Sequence, residues 1–219
     1  MFNLLRENCN TIIAIVLTVV VLSGCASKDI ATEPGYRLMG TEKILVLPFK
    51  DITMIYGKGE TVRCPVCGKV FITGVVSEDA IEKLTNSLVS NLKGQKNYNI
   101  VTLNMTGEEE TISDRNLIVE KGRKNNADAV IAGYVYRYIE RVGTWYSVKS
   151  PASVAFGIHL LSVKNGRILW SAHFDETQHS LSENLFNLKA FIKRKASWIT
   201  ADEMATSGLE EILKTFPNS

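Results

Sequence analysis

Cys64-Pro65-Val66-Cys67-Gly68 is the run in this 219-residue chain whose residue types and spacing point most directly to chemistry. Two thiols at CxxC spacing, with a glycine permitting the tight turn after them, suit three kinds of chemistry. They can bind one metal ion, close a local disulfide, or exchange electrons as a redox pair. Structural zinc takes four ligands, and the motif supplies two. The chain's three histidines, His159, His173 and His179, are the candidates to complete a site. Asn165-Gly166 is a strong signal for a two-residue hairpin turn. It predicts Lys164 opposite Arg167, Leu161 opposite Trp170 and His159 opposite Ala172. In that register His159 and His173 fall on opposite faces and do not converge on one ion, and His159 reads as a core histidine. A zinc ion at Cys64 and Cys67 then needs His179 from a loop, or an ion shared between two chains. Outside the cytoplasm a CxxC pair can instead close a disulfide. Redox activity asks for the motif at a helix N-terminus directly after a strand, where the thiol pKa falls; here about ten residues separate it from the next helix, so that geometry is not expected.

Other chemistry finds no foothold. There is no Gly-x-Ser-x-Gly, no phosphate-binding glycine loop and no His-Glu-x-x-His, so the expectation is a protein that is not an enzyme. Lys and Arg number 25 against 23 Asp and Glu, a formal net charge of +2. That balance, with no long basic run, argues against nucleic acid. Glu108-Glu109-Glu110 and Lys193-Arg194-Lys195 read as solvated surface. Tyr134, Tyr136 and Tyr138 alternate onto one face of a predicted strand. They suit sheet packing or, if exposed, a protein interface shared with Trp145.

These residues need elements to position them. Ile44-Leu45-Val46-Leu47-Pro48-Phe49 reads as a buried strand stopped by proline. Residues 50–75 follow as a long loop or insertion that carries the CxxC motif. Ser77 caps a helix whose Ile81, Leu84, Leu88 and Leu92 share one face, and Gly94 ends it. Tyr98 to Leu103 is a strand. A helix capped by Ser113 ends near Asn125-Asn126. Ala129 to Glu140, Ala152 to Lys164 and Arg167 to Asp175 are strands, the last two forming the hairpin. Val163, Ile168, Leu161, Trp170 and Phe174 are expected on one core face under the helices. Ser180 with Glu183, and Thr200 with Glu203, have capping-box spacing and start two terminal helices. The sum is an α/β (α+β) fold, a mixed sheet of about five strands with packing helices and C-terminal helices.

The N-terminus supplies an address. The apolar stretch Ile12 to Leu22 is only about half of the roughly 20 residues that a spanning helix needs, and it fits the core of a signal peptide. It leads into Val21-Leu22-Ser23-Gly24-Cys25, which is similar to the lipobox of bacterial lipoprotein precursors. The similarity implies cleavage before Cys25 and a diacylglyceryl group, with fatty acids such as palmitate, on the Cys25 sulfur. The lipid anchor ties the chain to a membrane. Ala26, directly after it, favours the periplasmic face of the outer membrane by analogy. Residues 1–24 are then a signal peptide and 25–42 a flexible tether reaching roughly 20–25 Å. Residues 43–179 form the α/β domain, with its insertion at 50–75, and 180–219 a helical extension.

Three segments carry a family resemblance. Ile44 to Phe49, with Asp51 and Thr53, resembles a strand opening of the type V-A-V-x-P-F-x-(N/D)-x-T. Asn126-Ala127-Asp128-Ala129-Val130-Ile131-Ala132-Gly133 resembles G-A-D-x-V-(I/L)-x-G. Leu160 to Val163 with Asn165 to Trp170 resembles L-x-(V/L)-V-(D/N)-x-x-(T/N)-G-x-(I/V)-L-W. In this order they are similar to a superfamily of bacterial envelope lipoproteins. It holds the curli-secretion channel lipoprotein, the penicillin-binding-protein activator lipoproteins and the amino-terminal domain of the Tol-system translocation protein. The resemblance implies a fold like an anticodon-binding domain. It also implies a non-enzymatic, accessory role through an envelope protein partner in assembly, secretion or peptidoglycan synthesis, or a place in a homo-oligomeric secretion assembly. A membrane-spanning barrel is not expected, since Ile139 to Pro151 is too short for a pair of strands of about 9–11 residues each. The CxxC insertion is a departure from these families. It leaves a thiol-redox or metal-handling lipoprotein as the alternative reading.

Overall fold

The computed structural model describes residues 30–32, 43–94, 99–103, 114–178 and 198–217. In chain order the elements are β1 (Ile30–Thr32), β2 (Lys43–Val46), β3 (Lys50–Asp51), the one-turn helix α1 (Thr53–Tyr56), β4 (Thr61–Arg63) and β5 (Val70–Ile72). Then come α2 (Ala80–Gly94), β6 (Asn99–Thr102), α3 (Arg115–Lys124), β7 (Ala129–Ile139), β8 (Val142–Gly143) and β9 (Val148–Ser150). β10 (Ser153–Ser162), β11 (Ile168–Thr177) and α4 (Ala201–Leu213) complete the set.

The main sheet runs β1-β11-β10-β7-β2-β6, with the short β3 also on β7, so seven strands stand among the described residues where about five were expected. β7, β10 and β11 pair antiparallel, whereas β2 runs parallel to both β7 and β6. The fold is therefore mixed α/β, as the strand and helix order predicts. β1 lies inside the segment read as a tether and pairs with the edge of β11. β10 is buried on both sides, which explains why its apolar residues, interrupted only by His159, do not alternate with polar ones.

Each face of the sheet has its own core. On one, α2 and α4 lay Leu84, Leu88, Met204, Leu209 and Ile212 over Phe156, Ile158, Trp170 and Phe174. Thr200 and Glu203 form the predicted capping box at the start of α4. On the other face, Ile118 of α3 packs beside the β4–β5 ribbon, whose Val62, Cys64, Val66 and Phe71 are buried against Val130, Tyr134, Tyr136 and Leu161. The insertion is thus a small antiparallel ribbon lying on the sheet. Its ring of Phe71 stacks on Tyr136 with centroids 3.8 Å apart and planes 8° from parallel. α3 is capped by Asp114, whose side chain accepts from Asn116 N, one residue later than the Ser113 expected. The predicted helix from Ser180, His179, Glu108 to Glu110 and Cys25 lie outside the described residues.

Two bulges overturn the predicted faces. The hairpin closes through Ser162 N donating to Arg167 O, not through Lys164 opposite Arg167. Leu161 pairs with Ile168 and Leu160 with Trp170, a one-residue shift that leaves Leu169 as the extra residue. Beyond it His159 faces Ser171, not Ala172. A one-residue slip sends every later side chain to the opposite face. Trp170 and Phe174 therefore belong to the helix-covered core, while Leu161, Val163 and Ile168 join the ribbon side. On β7 a second shift, between Ala155–Arg137 and Phe156–Val135, makes Tyr136 the extra residue. Tyr134 and Tyr136 stay on the ribbon side, and Tyr138 crosses to the helix side. The single tyrosine face is split.

Candidate metal centre

Where the ribbon meets the sheet, the two cysteines meet two histidines. Cys64 and Cys67 sit in the turn between β4 and β5. Cys64 N donates to Lys69 O and Gly68 N to Cys64 O, and Gly68 takes φ +77° to close the turn. That φ suits glycine, which accounts for the residue after the motif. Arg115 of α3 reaches across to donate to the Val66 carbonyl and pins the turn from outside. The ribbon's far end is held by Gly74 N to Tyr136 O, by Tyr138 N to Val75 O, and by Arg137 Nη1 to Ile72 O.

Beneath the turn, the sheet presents His159 from β10 and His173 from β11. The predicted register kept them apart; the bulge at Leu169 brings both to the ribbon face. Cys64 Sγ lies 3.1 Å from His159 Nε2, and Cys67 Sγ lies 3.2 Å from His173 Nε2. The ligand atoms of Cys64, Cys67 and His159 all lie within 4.8 Å of one another. The two imidazole centroids are 5.3 Å apart. Ser171 Oγ is 2.9 Å from His159 Nδ1 and 3.4 Å from His173 Nε2. Small residues flank the histidines across the strands: Ala132 and Ser171 pair with His159, and Gly157 with His173.

The site is closed. Cys64 is 2% exposed, both histidines are buried, and Cys67 is half-buried. Its hydrogen bond with Cys67 holds the Cys64 thiol well below the usual range, with burial opposing and His159 assisting. The same contact, joined by burial, pushes Cys67 up, while the Lys69 backbone N–H favours its thiolate. Tyr136 Oη is buried without a hydrogen bond of good geometry, yet it lies beside Cys64 and weakly favours its thiolate.

The interface expected of the tyrosines is not there. Tyr134, Tyr136 and Tyr138 are all buried, because β7 is covered on both faces. Tyr138 Oη donates to Asp202 Oδ1 at 2.6 Å, under α4. Trp145 stands apart from them on the β8–β9 turn and is 63% exposed. Tyr146, which the sequence reading passed over, is 69% exposed beside it, with ring centroids 5.3 Å apart. Adjacent aromatics in a polar turn were the signal for it. No helix among the described residues is long and apolar enough to cross a membrane.

No protein-family model matches the chain, and a search of curated proteins finds no match in sequence. Solved structures do share its fold. A subunit of the PelC dodecamer from Paraburkholderia phytofirmans superposes with a TM-score of 0.54 at 15% identity, over 88% of this chain and 99% of that one. Two looser likenesses are lipoprotein GNA1162 from Neisseria meningitidis and the LpoB C-terminal domain from Escherichia coli. GNA1162 has a TM-score of 0.41 at 15% identity, over 71% of this chain and 94% of that one. The LpoB domain has 0.37 at 16% identity, over 63% and 83%. The PelC likeness establishes the shared fold alone, and the looser two carry no inference.

Proposed function

We propose that this chain is a lipid-anchored protein of the bacterial envelope, non-enzymatic, whose α/β domain works by binding other proteins. The observation that carries the reading is the pair Trp145 and Tyr146, held out by a rigid turn. Thr144 N donates to Ser147 O and Trp198 N to Trp145 O, so the backbone beneath the rings is fixed. Large amphipathic rings on an ordered turn are favoured anchors in protein interfaces. The lipobox-like run before Cys25 supports the anchor, and the closed Cys–His cluster gives no substrate a way in. A photo-crosslinking residue in place of Trp145, activated in cells, is expected to capture a discrete envelope protein or a second copy. Exposed rings that cross-link to nothing discrete would contradict the reading. Cys25→Ala is expected to release the protein from the membrane fraction; its retention there would remove the lipid anchor.

Self-association is a second reading, favoured by the fold shared with a subunit of a dodecamer. Light scattering on the full-length protein in detergent tests it. A concentration-dependent mass above the monomer supports it, and a constant monomer mass refutes it.

A further inference from the structure

We infer that Cys64, Cys67, His159 and His173 are the four ligands of a closed, tetrahedral centre for a zinc-type divalent ion, which fastens the β4–β5 ribbon to the sheet. The inference stands apart from how the domain finds a partner.

Three observations converge on it. The first is the donor set. Two thiolates and two imidazoles are the Cys2His2 combination that zinc takes in structural sites, and soft sulfur donors select against magnesium and calcium. The second is spacing. With Zn–S near 2.3 Å and Zn–N near 2.0–2.1 Å, a tetrahedron puts sulfur and nitrogen roughly 3.5 Å apart. The two Cys–His edges, at 3.1 and 3.2 Å, are within a few tenths of that. His173 Nε2 stands beside Cys67 Sγ but outside the compact group of the other three, so it takes the fourth place by closing in on the ion. The third is the support around the ligands. Ser171 engages His159 Nδ1 and so aims Nε2 at Cys64, as the outer partners of metal-bound histidines do. Tyr136 Oη, buried and without a good partner, is placed beside Cys64, where a metal-bound thiolate would accept from it.

The other uses of the cysteines fit the surroundings less well. A Cys64–Cys67 disulfide closes a very small loop, which constrains little. It also leaves the buried Tyr136 hydroxyl beside a feeble acceptor, a costly arrangement. Thiol exchange needs access, and Cys64 has almost none. A metal, by contrast, meets a need of the fold. A two-stranded ribbon is marginal alone, and this one buries few apolar side chains. Binding the ion joins three separate elements through one centre.

Cobalt(II) added to the full-length protein in detergent, after stripping with a chelator, tests the assignment. The expected spectrum has the intense visible bands of a tetrahedral ion and sulfur-to-cobalt charge transfer, with saturation near about one ion per chain. Zinc should displace the cobalt and protect Cys64 and Cys67 from a thiol reagent. A weak octahedral spectrum without charge transfer overturns the proposal, and so does the isolation of a Cys64–Cys67 disulfide from protein handled without reductant. His173→Ala should weaken zinc by at least about 10-fold. Unchanged affinity would overturn the four-ligand assignment. Should a variant fail to fold, the spectrum of the wild-type protein still decides.

Discussion

Gly157→Ala places one methyl group at the floor of the centre without touching a ligand's identity. Gly157 pairs with His173 on one side and Tyr134 on the other, beneath the two imidazoles. A Cβ there would lie 3.0 Å from His173 Cδ2, 3.5 Å from His159 Nε2 and 3.6 Å from His173 Nε2. The first contact is too close by a few tenths of an ångström, so the His173 ring must move. Ligand distances in metal centres hold to about ±0.2 Å, so a shift of that size takes the His173 nitrogen out of its place in the centre. Disturbing the support of a metal ligand typically weakens binding about 10–100-fold, or about 1.4–2.8 kcal/mol. The methyl group itself should cost the folded domain no more than about 1–3 kcal/mol. The assay is zinc competition against a chelator on the full-length protein, with Gly94→Ala as control, since nothing lies within 4 Å of a Cβ at Gly94. Zinc affinity of Gly157→Ala within about 2-fold of wild type would refute the reasoning, because the histidines would then not be held where the centre needs them.

Two further outcomes follow from the packing. Phe71→Ala removes the ring stacked on Tyr136 and should cost about 3–5 kcal/mol in denaturant unfolding, with backbone amides of β4 and β5 exchanging faster; unchanged ribbon exchange would mean the ribbon does not rest on that ring. Burial pushes the hydroxyls of Tyr134, Tyr136 and Tyr138 up, and for Tyr138 the bond to Asp202 adds to it. Groups whose folded pKa lies above the unfolded value stabilise fully below about pH 10 and lose that contribution as pH rises further. Alkaline titration of the folded protein should therefore stop short of its seven tyrosines until it unfolds; ionisation of all seven near the ordinary value with the fold intact would contradict the burial.

The elements were legible in the sequence, and the faces were not. Leu84, Leu88 and Leu92 recur at helical spacing, and Thr200 with Glu203 marks a helix start by its own chemistry. Those signals are local, and they held. The hairpin register depends on a single residue. Ile168, Leu169 and Trp170 are all apolar, and β10 carries apolar residues on both sides, so alternation could not say which residue is the bulge. The error decided the site, because it separated His159 from His173. It also placed Tyr138 with Tyr134 and Tyr136, when the second bulge parts them. The CxxC motif was evident from Cys64, Pro65 and Gly68. Its missing ligands lay more than ninety residues away, where only the sheet could bring them.

The metal content of the protein as isolated bears most directly on the centre. Full-length protein extracted in detergent, without reductant or chelator, would be weighed intact by native mass spectrometry. About one zinc-type ion per chain is expected, lost together with the ribbon's protection on acidification, with Cys64 and Cys67 recovered as thiols. A metal-free chain carrying a Cys64–Cys67 disulfide would contradict it.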